Sequence, residues 1–157
     1  MFTLKNGNLV LCGAVALVNP VNTEGVMGAG LALQIKEAYP ESYAEYRKAC
    51  MRGDLAPGKV LISRVTSRSK SLDTQMVIHF PTKRYWKDPS RLVYVQQGLP
   101  ALREVLLREK PETVAIPALG CGLGNLPWNV VYPIIKEHLA DLDETDIWIY
   151  PPQGRSV

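Results

Sequence analysis

Apolar residues come along this chain in two patterns. CGAVALVN, residues 12–19, is a continuous run of small and β-branched residues that ends at Pro20, which predicts a strand buried on both faces. GKVLISRVTS, TQMVIHFPT, ETVAIPALG and DIWIYPP predict further strands. Between them the apolar positions fall to helical spacing. GAGLALQIKEAYP predicts a helix ending before Pro40, and ESYAEYRKACMRG a second that stops at Gly53. In SRLVYVQQGLPALREVLLREK, Leu92, Val95, Leu99, Leu102 and Leu106 form one stripe, with Ser90 as the expected N-cap. Gly98 and Pro100 mark a place for a kink. LPWNVVYPIIKEHLADL is the last helix. Strands alternating with helices predict a single α/β domain over residues 1–157, its sheet covered on both faces. Such sheets bind ligands outside the C-terminal ends of their strands.

Composition narrows the class. A chain of 157 residues can bury roughly two thirds of its unfolded surface in one core. With 46% hydrophobic and 21% charged residues it has the balance of an ordinary soluble domain. A net charge of +3 permits an anionic ligand but lacks the strong excess of a dedicated nucleic-acid-backbone binder. Cys12, Cys50 and Cys121 are odd in number and far apart, with only His79 and His138 as histidines. Neither a metal site nor a disulfide framework is expected, and reduced thiols fit a cytoplasmic protein. No signal peptide is present, and no apolar run approaches the roughly 20 residues of a membrane span.

Two stretches fall where a strand gives way to a helix. NPVNTEGVMGAGLALQIKEAYP (19–40) places Gly25, Gly28 and Gly30 within six residues, and PALGCGLGNLPW (117–128) alternates Gly120, Gly122 and Gly124. Loops of this kind can aim successive backbone N–H groups at one point, and the following helix N-terminus adds partial positive charge. Either loop alone reads as well as a tight turn. Two at one sheet edge suit a diphosphate held from both sides. The schemes GxxxxGK[ST] and GxGxxG after the first strand are absent. Asn22 has a side-chain amide able to read a hydroxyl pair on a sugar, whereas Asn19 is expected to tie the loop to itself.

These two loops resemble the ligand loops of the macrodomain superfamily, whose members bind ADP-ribose, and the similarity runs from NGNLV to IWIYPP. The form VN-x-x-G-V-M-G-x-G-x-A, with PTKRYW and GCGLG downstream, is similar to one branch in particular. That branch holds antitoxin DNA ADP-ribosyl glycohydrolases and a eukaryotic terminal ADP-ribose glycohydrolase. The resemblance implies a three-layer α/β/α sandwich with a mixed central sheet and ADP-ribose lying across the strand ends. It places Asn22 at the distal ribose, Gly28 and Gly30 against the diphosphate and that ribose, and Gly120, Cys121, Gly122, Leu123 and Gly124 around the phosphates. Tyr150 would lie against the adenine or its ribose, or else cap the core. Many members carry Gly-Asp near the start to read adenine; here the pair is Gly7-Asn8, followed by Leu9, so Asn8 accepts without a charge. The eukaryotic relative's second-loop aspartate falls at Gly124, so its two-residue mechanism does not transfer whole.

Lys83 in HFPTKRYW matches the catalytic lysine of this branch. As a cation it can donate to a departing base; as a free amine it can attack the opened ribose and form a Schiff base. Arg84, Tyr85, Trp86 and Lys87 beside it are candidates for contacting DNA. Arg47, Lys48, Arg52, Arg64, Arg68 and Lys70 read mainly as solubilising charge. Cys121 reads as a small loop filler, His79 as strand-end packing, and Glu24 as an exposed loop carboxylate and a secondary candidate for positioning water. The expected function is a monomeric hydrolase, needing no cofactor, that removes ADP-ribose from thymidine in single-stranded DNA. Its expected partners are ADP-ribose, ADP-ribosylated DNA and a cognate DNA ADP-ribosyltransferase toxin. The rivals are a non-catalytic ADP-ribose reader and a hydrolase of protein-linked ADP-ribose or O-acetyl-ADP-ribose.

Overall fold

The computed structural model describes residues 1–67 and 72–152, so Arg68 and Lys70 lie outside the described residues. Its strands are β1 (Phe2–Leu4), β2 (Ala16–Val21), β3 (Leu61–Arg64), β4 (Met76–Pro81), β5 (Thr113–Pro117) and β6 (Asp146–Tyr150). They form one sheet in the order β1-β6-β5-β2-β4-β3, parallel throughout except for β3 against β4. The helices are α1 (Gly30–Ala38), α2 (Pro40–Met51), α3 (Leu92–Glu109) and α4 (Trp128–Leu139), with a short 3-10 turn at Leu9–Leu11.

Strand alternation divides the core. Val18, Ile78, Phe80, Ile116 and Ile149 face Val95, Leu99 and Leu102 of α3 and Val131 and Ile135 of α4. Leu17, Val77, Ala115 and Tyr150 face the opposite way, under Leu9, Val10 and Ile35. Val21 and Met27 pack there with Tyr46 of α2. The result is the expected three-layer sandwich with a mixed sheet.

Three local expectations change. Ser90 is not the N-cap of α3; Arg91 is, with no side-chain cap, because the Ser90 hydroxyl is spent on Thr82 Oγ1 at 3.1 Å. α3 runs unbroken through Gly98 and Pro100. The glycine serves contact between layers, since a Cβ at 98 would lie 2.8 Å from Phe80 Cε1. β2 also does not stop at Pro20 but continues to Val21.

That proline has a positional meaning. The register of β2 with β5 reaches only Leu17↔Ala115, whereas β2 and β4 stay paired to Val21↔Pro81. Val15 O and Val21 O both accept from β4 or the residues flanking it, so alternation turns Pro20 toward β5. Glu112 O accepts from Asp146 N, which by the same alternation turns Pro117 of β5 toward β2. Two residues without an N–H therefore face one another where the strands part.

Candidate functional site

Five parallel strands end on one rim, and the sheet order sets the sequence of what they carry. The Asn8–Leu9 turn follows β1, Tyr150 ends β6, Gly120–Gly124 follow β5, Asn22–Gly30 follow β2 and Lys83–Lys87 follow β4. The gap between β5 and β2 is where chain connectivity changes direction across the sheet, the usual ligand crevice of such folds. The two glycine loops flank it.

The β2 loop is built around Asn22, which is buried. Its Oδ1 accepts from the N–H groups of Glu24 and Gly25 at 3.1 Å and of Val26 at 3.3 Å, and from the Tyr46 hydroxyl at 2.8 Å. Its Nδ2 donates to Val26 O at 2.8 Å. The acceptor half of the expected hydroxyl-reading amide is thus committed to the loop, and only one Nδ2 hydrogen is left over. The single Tyr46 hydroxyl hydrogen is shared with Asn22 O, also 2.8 Å away, and burial holds the phenol well above the ordinary range. Below the loop, Asn19 Nδ2 lies 3.3 Å from His79 Nδ1, and Ser63 Oγ 3.0 Å from His79 Nε2. Asn19 can only donate through that nitrogen, so the neutral ring carries its proton on Nε2, donating to Ser63. Burial pushes His79 down to about 3, and it packs rather than reacts. Past the loop, Ala29 caps α1 without a side-chain hydrogen bond, leaving the first-turn N–H groups of the helix facing outward.

The β5 loop turns at Gly120, whose φ is +74°. Leu126 N donates to Gly120 O at 2.8 Å. The Cys121 amide, expected among the phosphate-facing ones, donates to Ala118 O at 2.9 Å. Its thiol is buried and points to Leu119 O at 3.5 Å, as a loop filler. The amides of Gly122, Leu123 and Gly124 donate to none of the described residues. Leu123 leans across toward Gly30, where a Cβ would lie 3.3 Å from Leu123 Cδ1, so the two loops meet. Gly124 has no room for a side chain: a Cβ there would sit 2.6 Å from Gly120 O and from Ser90 Cβ. That crowding explains the missing aspartate at this position.

At the β1 end, Asn8 Oδ1 accepts from Val10 N at 2.9 Å, which shapes the turn and occupies one lone pair. Tyr150 is buried beneath Leu9 and Val10, its phenol raised by burial and by Cys12.

At the other end, Lys83 is half-buried, with Nζ 3.2 Å from Trp86 O. The loop carrying it is pinned on two sides. Thr23 N donates to Arg84 O at 3.0 Å and Trp86 N to Glu24 Oε2 at 3.0 Å, while Ser90 N donates to Gly124 O at 3.0 Å. Tyr85 and Trp86 stand exposed at 58% and 51%. Tyr46, the capping role of Glu24 and the Ser90–Gly124 lock escaped the sequence reading. Asn22 followed by Thr-Glu-Gly, a turn signature, was the one available hint. A separate cavity of about 330 Å³ beside Leu55, Leu61 and Val105 takes no part in this rim.

A three-layer sandwich with glycine loops flanking its central crevice defines a class, and the chain belongs to it: the Macro domain family profile matches residues 18–135. Within that class it is 41% identical over 152 residues to the DNA ADP-ribosyl glycohydrolase of Thermus aquaticus, covering 97% of this chain and 41% of that protein. The chain therefore spans about two fifths of that relative. Among solved structures it superposes on the macrodomain of Mycobacterium tuberculosis DarG with a TM-score of 0.92 at 39% identity, covering 98% of this chain and 99% of the other. Thermosipho africanus DarTG in complex with ADP-ribose gives 0.87 at 32% identity, covering 98% of this chain and 43% of the other.

Proposed function

We propose that this macrodomain binds ADP-ribose across its rim and hydrolyses its bond to thymidine in single-stranded DNA. The observation that carries the reading is the order of the strand ends. Along the rim come an apolar turn at Leu9 and Tyr150, then free loop amides, then the Asn22 loop, then an amine. That is the order of adenosine, diphosphate, distal ribose and reacting bond in the proposed substrate. The DarG relatives support the DNA-linked substrate, and the relative solved with ADP-ribose supports the ligand.

In this reading Gly122, Leu123 and Gly124 and the start of α1 hold the diphosphate through N–H groups. The Asn22 loop shapes the wall of the ribose site. Cleavage develops positive charge at the anomeric carbon and negative charge on the departing base. The β5 loop carries no carboxylate, and Gly124 has no space for one; in this reading Lys83 carries the chemistry. Its ammonium can protonate the leaving base, or its free amine can add to C1 of the opened ribose and expel the base, leaving an imine that water hydrolyses. Borohydride added during turnover separates the two, because only the imine is reduced to a stable adduct on Lys83.

Lys83→Ala is expected to slow turnover of a thymidine-ADP-ribosylated oligonucleotide by at least about 100-fold. Calorimetry should show free ADP-ribose still bound. Turnover at the parental rate would remove Lys83 from the mechanism, and binding without any parental turnover would make the domain a reader. We further propose a cytoplasmic, monomeric domain with a DNA ADP-ribosyltransferase as its cognate partner; the partner is supported by a Thermosipho africanus relative that fuses a DNA ADP-ribosyl transferase to a DNA ADP-ribosyl glycohydrolase.

A further inference from the structure

On the flank of the loop that carries Lys83, two guanidinium groups share one phenol. Arg84 Nε donates to Tyr94 Oη at 3.1 Å, and the Arg84 and Arg91 guanidinium carbons lie 5.7 and 5.4 Å from the Tyr94 ring centre. Both arginines are exposed, the ring that both reach is buried, and neither arginine forms an ion pair among the described residues. Gathering two like charges is unfavourable unless something anionic answers them. The phenol responds: the hydrogen bond from Arg84 and the two nearby cations hold it below its ordinary range. Guanidinium pairs on an aromatic base suit a phosphodiester, which accepts two parallel N–H bonds from each fork.

The backbone keeps this cluster beside the reacting end. Arg91 N donates to Thr82 O at 3.0 Å, one residue before Lys83, and Arg84 follows Lys83 directly. The next residues add aromatic faces. Trp86 has its N–H held by Glu24 and its carbonyl by Lys83, so an exposed ring stands on a fixed peptide, with Lys87 Nζ 5.4 Å from its centre. Cationic groups that follow a backbone, interleaved with exposed rings that stack any base, are how single strands are gripped. Free phosphate has no use for the rings, and an acidic peptide has no bases to stack.

We infer that Arg84 and Arg91, braced by Tyr94, clamp the phosphodiester next to the modified nucleotide of a single strand, and that Trp86 stacks the adjoining base. This rests on the proposed hydrolase only in placing the modified nucleotide at Lys83. The domain thereby reads a strand and not an isolated nucleotide.

The test compares an ADP-ribosylated thymidine mononucleotide with an ADP-ribosylated single-stranded decamer, and adds binding of the unmodified decamer at several salt concentrations. The parental domain is expected to favour the modified decamer at least about tenfold in kcat/KM. Arg91→Ala should lower that value about tenfold, mainly through KM, and leave the mononucleotide and free ADP-ribose unaffected. The slope of log affinity against log salt for the unmodified decamer should shrink by about 0.7 in Arg91→Ala and be kept in Arg91→Lys. Trp86→Ala should weaken decamer binding with an unchanged slope. Equal treatment of both substrates by the parental domain, or an unchanged slope in Arg91→Ala, overturns the clamp. Because decamer binding is read without turnover, a domain that binds ADP-ribose but hydrolyses nothing loses the hydrolase reading while the clamp is still judged.

Discussion

Asn22, expected to read a sugar, organises the loop that would hold one. Three backbone N–H groups and the Tyr46 hydroxyl converge on its single oxygen. Asn22→Ala strips the three N–H groups of their acceptor and leaves the Tyr46 hydroxyl only the Asn22 carbonyl, with an expected loss of about 2–3 kcal/mol in a urea titration. Asn22→Asp keeps the acceptor and should lose less. A variant as stable as the parent would show that the loop does not depend on this amide. Part of the arrangement was visible in the Asn-Thr-Glu-Gly turn; Tyr46, 24 residues downstream on another element, was not, because one-dimensional spacing carries no trace of a tertiary donor.

His79 shows the same scale in its response to pH. Its folded value of about 3 lies below its ordinary 6.5, so the unfolded chain binds the extra proton between the two. Its contribution to stability is complete above pH 6.5 and declines as pH falls toward 3. His79→Gln cannot charge, so the Tm difference between parent and variant should narrow as the solution is acidified through that window. Comparison with the variant also removes the carboxylates Glu109 and Asp141, whose arginine partners hold them low and whose stabilisation is lost on acidification too. A constant difference would mean that His79 is not held neutral.

At the scale of elements, helical spacing located the long helices, and short apolar runs bounded by proline, glycine and polar residues located all strands but the first. β1 has three residues and no alternation to betray it, and it is found only by its pairing with β6. The N-cap expectation failed because a serine before a helix was assumed to serve that helix, whereas Ser90 bonds across to Thr82 and, through its N–H, to Gly124. Gly98 makes the sharpest case. In an isolated helix, replacing glycine by alanine gains about 1 kcal/mol. Here the added methyl meets the Phe80 ring, so Gly98→Ala should instead destabilise by about 1–3 kcal/mol in a denaturant titration. Phe80→Leu in the same chain should return part of that loss. A stabilised single variant would show that α3 and β4 have room to separate.

For the whole molecule, the two glycine loops were legible in the sequence as one sheet edge and Lys83 joined them through the family resemblance, but the order of the features along the rim and the bonds that tie the loops together were not. Strand order brings them together, and hydrogen bonds from Thr23, Trp86 and Ser90 join the three loops. Glu24 is the side chain in that stitching. Glu24→Ala is expected to lower kcat on the DNA-linked substrate several-fold, with the ADP-ribose dissociation constant changed by less than about threefold. Such a split would mark a residue that positions the Lys83 loop and does not hold the nucleotide. Equal losses in both would place it in the nucleotide site.

Pro20 and Pro117 confront each other where β2 and β5 separate, and neither can supply the bridge that would zip the fissure closed. The backbone therefore cannot seal the opening; what reaches across it is the exposed Leu123 side chain, which a rotamer change on the ps–ns timescale moves aside. Capture should proceed in a single kinetic phase whose rate rises linearly with nucleotide concentration, without a plateau set by prior opening.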